Sequence, residues 1–484
     1  MSPGDLDPEE FRKEAHRTVD VIADYLAGVE RFPVLARSKP GDIRRALPAS
    51  APAEGEPIER ILADVEELIV PGLTHWQSPG FMAYFAITGS APGILGEILA
   101  AAFNVNAMLW QTSPAATELE EVAVDWLRQL VGLPIRLFGC INDTASSSTL
   151  YALAAAREAI PGAHIRERGL GGRSDLGALR YYASEEAHSS VEKAGIVLGA
   201  GRDGCVRVPT DGEYRMDVDA LTDAIRADRA AGRVPFAVVA TAGTTSTTSV
   251  DPVPDIARVC AAEGLWLHVD AAYAGAAAVV PELRWVLAGC EDADSIVVNP
   301  HKWLFTPIDC SVLWTRRREV LRDAFTLVPE YLRTAHDEDT SVINLNEYGT
   351  SLGRRFRALK LWMVMRTFGA DGLAERIREH VRLAHLLSGW VDDSPLWQRT
   401  APARLSTVCL RARPPGIDDE AEIAALNQRV MARVNAAGRH FISHTALRGR
   451  MTLHVAIGNL RTQERHVREL WEELQSSLAA ELPG

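Results

Sequence analysis

The sequence predicts an α/β fold: a large domain around a mostly parallel sheet, an N-terminal helical segment and a small C-terminal α+β domain. Two observations carry this. Between about residues 90 and 320, short apolar runs alternate with Ala-rich helical stretches, as strands do when crossover helices bury both faces of a sheet. After about residue 360, a long helical stretch gives way to short strands and a closing helix.

The first helix is announced by Asp7-Pro8-Glu9-Glu10, an N-cap, a proline at the first helical position and early acids. Phe11, Ala15, Val19, Ile22 and Leu26 then recur at helical spacing. The linker "LPASAPAEGEP" leads to a second helix with Ile58, Ile61, Leu62, Val65, Leu68 and Ile69 on one face. Candidate strands of the large domain are "PFAVVATAG", "GLWLHVDAA", "SIVVN" and "CSVLWT", with "VPDIARVCAAEG" a helix ending at glycine. In the small domain "LSTVCLRA", "HFISHT" and "MTLHVAIG" read as strands, and "RTQERHVRELWEELQSSLAAEL" as the last helix. The expected boundaries are 1–85, 86–360 and 361–484.

Composition narrows the function classes. The formal charge, 51 − 64 = −13, offers no basic footprint for nucleic acid or an anionic membrane. No run of about 18 apolar residues suggests a membrane span, and the first residues lack a signal-peptide core. Six scattered cysteines without a CxxC pair suit reduced thiols. A cytoplasmic protein is expected.

Chemistry is expected beyond the carboxyl ends of the strands. Asp270 closes "LWLHVD"; Thr244 and Thr245 follow "FAVVATAG"; His301 and Lys302 follow "SIVVNP". The run "NDTASSST", residues 142–149, precedes a helix and could bind a phosphate. Singly, each has an ordinary reading as a strand-end cap, an N-cap or a surface lysine. Lys302 is less ordinary here, because the chain has five lysines and 51 − 5 = 46 arginines. Together the features fit pyridoxal phosphate, which needs an amine for its Schiff base, an acid for its ring nitrogen and an anion site. A guanidinium cannot serve as that amine.

The blocks "AHSSVEKAG", "ATAGTTSTTSVDP", "LWLHVDAAYAGAA" and "NPHKWLF" resemble those of the aromatic-L-amino-acid decarboxylases, the group II, fold-type I pyridoxal phosphate enzymes. "VPGLTHWQSPGFMAYF", "SPAATELE" and "LGRRFRALKLW" extend the likeness over nearly the whole chain, in family order. The resemblance implies a seven-stranded sheet and a homodimer whose active sites lie at the subunit interface, interlocked by the N-terminal helices. It implies that Lys302 anchors the cofactor, Asp270 holds its ring nitrogen and His188 stacks on its ring. Ala145, Ser146, Asn299 and His301 would hold the phosphate, with Thr245 and Ala272 beside the ring. Tyr331, in "LVPEYLRTAHDEDTS", would supply the proton that completes amine formation; relatives with phenylalanine there tend toward aldehydes.

Trp76, Tyr84, Phe85, Ile87, Asn106, Met108 and Gly353 would line the substrate pocket, and in the family the stretch around Asn106 reaches the neighbouring subunit's site. Gly353 leaves room for a bulky ring where some relatives carry serine. Ile87 stands where animal members have a carboxylate-contacting threonine, with Thr88 adjacent, and Asn106 and Met108 replace apolar or aromatic residues. Tryptophan, tyrosine, phenylalanine and DOPA all remain candidate substrates. The alternatives are an aromatic aldehyde synthase, a decarboxylase of a non-aromatic acid such as glutamate, for which no pocket arginine is evident, and a catalytically silent cofactor-binding sensor.

Overall fold

The computed structural model describes residues 5–327 and 342–482. Seven strands form the central sheet: β1 Phe138–Asn142, β2 Leu179–Ser184, β3 Cys205–Val208, β4 Val234–Thr241, β5 Trp266–Asp270, β6 Ser295–Val298 and β7 Ser311–Thr315. Their order is β1-β7-β6-β5-β4-β2-β3. The pairs β2/β3, β2/β4, β4/β5 and β5/β6 are parallel, whereas β7 lies antiparallel to both neighbours. The cause is local: the connection 299–310 holds one helical turn, Pro300–Trp303, rather than a crossover helix, so the chain returns antiparallel. Every residue of β5, β6 and β7 is buried, which explains their uninterrupted apolar runs.

The sequence expectations hold for β4 to β7, and for the helix Val253–Glu263, which stops at Gly264 in the left-handed conformation (φ 65°). Strands β1, β2 and β3 were not among the candidates. The first helix is Pro8–Ala27, with the Asp7 carboxylate accepting from the N–H groups of Glu9 and Glu10. The second is shorter than its apolar stripe suggests. An α-helix over Ile58–Asp64 passes into a π turn, Val65–Ile69, just before Pro71, which has no N–H to continue the ladder.

The small domain is an antiparallel sheet of β8 Trp397–Arg399, β9 Thr407–Ala412, β10 Ser443–Leu447 and β11 Arg450–Ala456, in the order β10-β11-β9-β8. Arg448 and Gly449 both take positive φ (51° and 75°), so the β10–β11 hairpin closes through a two-residue turn that follows the strand twist. A long helix, Arg357–Asp392, bends at Gly369 and runs across the expected 360/361 boundary. Residues 80–82 are stitched along this domain. Phe441 N–H donates to the Gly80 carbonyl, and Met82 N–H to the Phe441 carbonyl, both at 2.9 Å. A Cβ at Gly80 would stand 2.0 Å from the Arg439 carbonyl oxygen, so only glycine permits this approach. Among the described residues no helix is long and apolar enough to cross a membrane.

Candidate active site

Lys302 lies in the single turn that follows β6. Asn299 N–H donates to the Ala272 carbonyl and Lys302 N–H to the Asn299 carbonyl, both at 3.0 Å, which ties the lysine to the ends of β5 and β6. Its neighbours His301 and Trp303 are buried, while Lys302 itself is partly exposed. The Lys302 ammonium is 5.4 Å from the Phe85 ring centroid. Burial lowers its pKa below the usual lysine value, and the Asp270 carboxylate opposes that shift. Desolvation is the larger effect, so the amine gives up its proton more readily than an exposed lysine does.

A column of rings forms the floor beside this lysine. Phe85 stacks on Tyr273 (3.8 Å, 11°), and Tyr273 on Trp303 (4.6 Å, 2°). The Tyr273 hydroxyl meets the Ser406 hydroxyl at 2.5 Å, and Trp303 Nε1 donates to His380 Nδ1 at 3.0 Å. His380 Nε2 therefore carries the proton and donates to the Asn459 carbonyl at 3.1 Å.

Asp270 ends β5 opposite Thr241 and Val297, buried, with Oδ1 accepting from Ala272 N–H at 3.1 Å. His268 shares its face of the sheet, two residues back. It is held by the Ser295 hydroxyl at Nδ1 (2.9 Å) and the Thr149 hydroxyl at Nε2 (3.3 Å). His188 follows β2. Its Nδ1 accepts from Ser190 N–H at 3.2 Å and meets the Ser190 hydroxyl at 2.8 Å, so the neutral ring carries its proton on Nε2. The residue is exposed, which leaves an oriented imidazole able to cover a flat ring. Desolvation lowers its pKa; Asp270 raises it and Lys302 lowers it, so the three groups share one electrostatic field.

Comparisons with known proteins identify the family. The pyridoxal-dependent decarboxylase conserved domain matches residues 40–413. An aromatic-L-amino-acid decarboxylase of Sus scrofa is 41% identical over 486 residues, covering 99% of this chain and 98% of the relative. A phenylacetaldehyde synthase of a Rosa hybrid cultivar is 39% identical over 489 residues, covering 98% and 95%. The crystal structure of Oryza sativa TDC with PLP and tryptamine superposes with a TM-score of 0.95 at 38% identity, covering all of both chains. The chain belongs to the pyridoxal-dependent decarboxylase family.

The residues of this decarboxylase fit its cofactor. Ala145 and Ala272 pack with Val297 in a small buried cluster, so two side chains of minimal size border the site. Thr144 caps the helix Ala145–Glu158 by accepting from Ser147 N–H at 3.5 Å, and Ser146 is exposed at its first turn, where N–H groups face an incoming anion. Ser148 and Thr149 are structural: Ser148 bonds Asn142 (3.1 Å) and Ser311 (3.0 Å). His301 Nδ1 accepts from Cys310 N–H at 2.9 Å, leaving an Nε2–H donor. Asn299 Oδ1 is buried without a partner among the described residues; as an acceptor it suits a donor, so a phosphate would have to meet the Nδ2 side of this amide. Thr245 is exposed in the loop beyond β4.

The expected substrate-pocket residues fall into two groups in the decarboxylase. Trp76 stacks on Phe81 (4.1 Å) and lies 6.2 Å from Tyr84, whose N–H donates to the Ser443 hydroxyl; Phe85 completes this group beside Lys302. Ile87 is partly buried next to Thr88, whose buried hydroxyl has no partner among the described residues. Asn106, Met108 and Gly353 form the second group, and no hydrogen bond or ring contact joins it to the first among the described residues. Tyr331 lies outside the described residues. The reading from sequence did not single out His268, Tyr273, Trp303, His380 or Arg354. Only His268 carried a usable signal, since period-two alternation puts it on the Asp270 face.

Burial holds the pKa of His268, His301, His380 and His454 at about 4. These folded values lie below the free value of about 6.5. The unfolded chain therefore binds more protons below that pH, and the stabilisation is whole above it and lost as pH falls toward 4. Urea melts should show a lower midpoint at pH 5 than at pH 7.5. Equal midpoints would mean that the fold accepts these imidazoles protonated.

Proposed function

We propose that this decarboxylase removes the α-carboxylate of an aromatic L-amino acid, giving CO2 and the arylalkylamine. The observation that carries the reading is the partly buried amine of Lys302, in the field of Asp270 and beside the ring column Phe85–Tyr273–Trp303. Pyridoxal phosphate, when bound, supplies an aromatic electron acceptor that lets the bond to the carboxylate break.

The chain's own residues do the rest. Lys302 would hold the cofactor through its amine and would release it when a substrate amine takes that place. The Asp270 carboxylate, oriented by Ala272 N–H, keeps a proton on the ring nitrogen. His188, its tautomer fixed by Ser190, would cover the ring and has an Nε2–H free to donate. Ser146 and the His301 Nε2–H bind the phosphate with the helix N-terminus, while Ala145 and Ala272 leave the space it needs. Trp76, Tyr84 and Phe85 offer an apolar wall suited to an aromatic side chain. Tyr331 delivers the proton to the α-carbon.

A homodimer suits the exposed apolar face of the helix Ala91–Phe103. Leu95, Ile98 and Leu99 lie at one-face spacing with 51%, 41% and 40% exposure, and Phe103 follows at 57%. Asn106 lies three residues past the end of that helix, so burying this face against a second copy would carry the second group of pocket residues into the interface. All six cysteines are unpaired, in keeping with a cytoplasmic protein.

The alternative, an aldehyde synthase, is favoured by one observation: a phenylacetaldehyde synthase is as similar to this chain as many decarboxylases are. Product analysis decides between them. Aromatic L-amino acids should give amine and CO2 in equal amounts, and Tyr331→Phe, with dissolved O2 as the oxidant, should shift the product to aldehyde, ammonia and hydrogen peroxide. Aldehyde from the parent enzyme would establish the synthase instead. An unchanged product in the variant would remove Tyr331 from its role.

A further inference from the structure

Asn106 is mounted more firmly than a loop residue needs to be. Its Oδ1 accepts from Arg354 N–H at 2.9 Å, and its carbonyl accepts from the Thr112 hydroxyl at 3.1 Å. The adjacent Ala107 N–H donates to the Arg354 carbonyl at 3.0 Å. Arg354 is itself pinned, because its buried guanidinium donates to Glu120 Oε1 at 2.7 Å and to the Ile141 carbonyl at 2.8 Å.

A backbone N–H can only donate, so the amide must turn its oxygen to Arg354 and its NH2 the other way. That Nδ2 meets the Met108 sulfur at 3.4 Å, which is a weak acceptor. Leaving aside the glycine's chain neighbours, it is also the one atom among the described residues within 4 Å of where a side chain on Gly353 would begin, at 4.0 Å. The space that glycine opens is thus bordered by a fixed and weakly used hydrogen-bond donor.

We propose that Asn106 is a specificity-determining residue, donating from Nδ2 to an oxygen on the substrate ring, so that hydroxylated aromatic amino acids are selected over unsubstituted ones. The assignment rests on the decarboxylase reading above and on a second copy bringing Asn106 to the site. A phenol, catechol or hydroxyindole oxygen replaces the sulfur with a stronger acceptor. A phenyl ring offers none, and an indole N–H is a second donor. Rings that cannot accept leave the amide poorly satisfied once water is excluded, which is how a polar site discriminates against the analogue that lacks the oxygen.

The test measures kcat/KM of the holoenzyme for tyrosine, phenylalanine, 4-aminophenylalanine, 5-hydroxytryptophan and tryptophan, in the parent and in Asn106→Leu. The parent should prefer tyrosine to phenylalanine, and 5-hydroxytryptophan to tryptophan, by about tenfold or more. It should treat 4-aminophenylalanine, a similar-sized ring ending in a donor, like phenylalanine. In Asn106→Leu both ratios should fall to within about threefold of unity. Flat ratios in the parent overturn the assignment whatever the variant's stability, as do ratios that survive the substitution or tyrosine-like handling of 4-aminophenylalanine. Turnover with flat ratios removes Asn106 alone, whereas no CO2 from any of the five amino acids overturns the decarboxylase reading with it.

Discussion

Lys302→Ala is expected to lower kcat by about 10⁴-fold or more, and Lys302→Arg should do no better. The other lysines of the large domain are placed differently. Lys360 is buried in an ion pair with Glu97, and Lys193 is exposed. Arginine would keep a positive charge over the Phe85 ring, but a guanidinium stays protonated and cannot hold the cofactor's aldehyde carbon. The parent with bound cofactor should absorb in the near-visible, and borohydride should fix the cofactor to Lys302; both signals should vanish in either variant. The ring column does not depend on the lysine, so thermal midpoints should stay near the parent's. Activity of Lys302→Arg within tenfold of the parent would remove the lysine from its role.

Asp270→Asn should cost about 10³-fold in kcat, the scale of losing one preorganised electrostatic partner in a dry site. The substitution separates charge from geometry, since the amide oxygen can still accept from Ala272 N–H. Asp270 raises the pKa of both Lys302 and His188, so its neutralisation should let both fall further. The acid limb of the kcat/KM profile should therefore move to lower pH in the variant. A substitution that only disturbed packing would lower activity without that displacement. Retention of activity within tenfold would mean the ring nitrogen needs no carboxylate.

Much of this arrangement is legible in the sequence because it depends on local order. Strands β4 to β7 are short apolar runs bounded by glycine, proline or acid, and Asp270 and Lys302 stand where two such runs stop. The N-cap at Asp7 and the stop at Gly264 are equally local, each a matter of one side chain or one φ angle. What was not legible is tertiary. Strand β1 reads "FGCIN", and its Gly139 is explained only by Trp314 and Val124 crowding against it. Strand β2 is rich in tyrosines, of which Tyr182 donates to Asp228 at 2.7 Å, a partner 46 residues away. The antiparallel sense of β7 follows from what the 299–310 connection holds, not from its composition. The division of the substrate pocket into two groups likewise depends on where distant segments meet. Arg354 looks like any of the chain's many arginines until Glu120 and the Ile141 carbonyl are seen around it.

The ring column also constrains the order in which the protein can mature. Phe85, Tyr273, Trp303 and His380 come from four widely separated stretches, and Ser406 and Asn459 hold the column from the small domain. The bed for Lys302 therefore does not exist until almost the entire polypeptide has been synthesised and packed. A ribosome-bound fragment ending before residue 459 would lack the last link of that support. Cofactor capture is therefore expected late in biogenesis, and uptake of pyridoxal phosphate would report completed assembly.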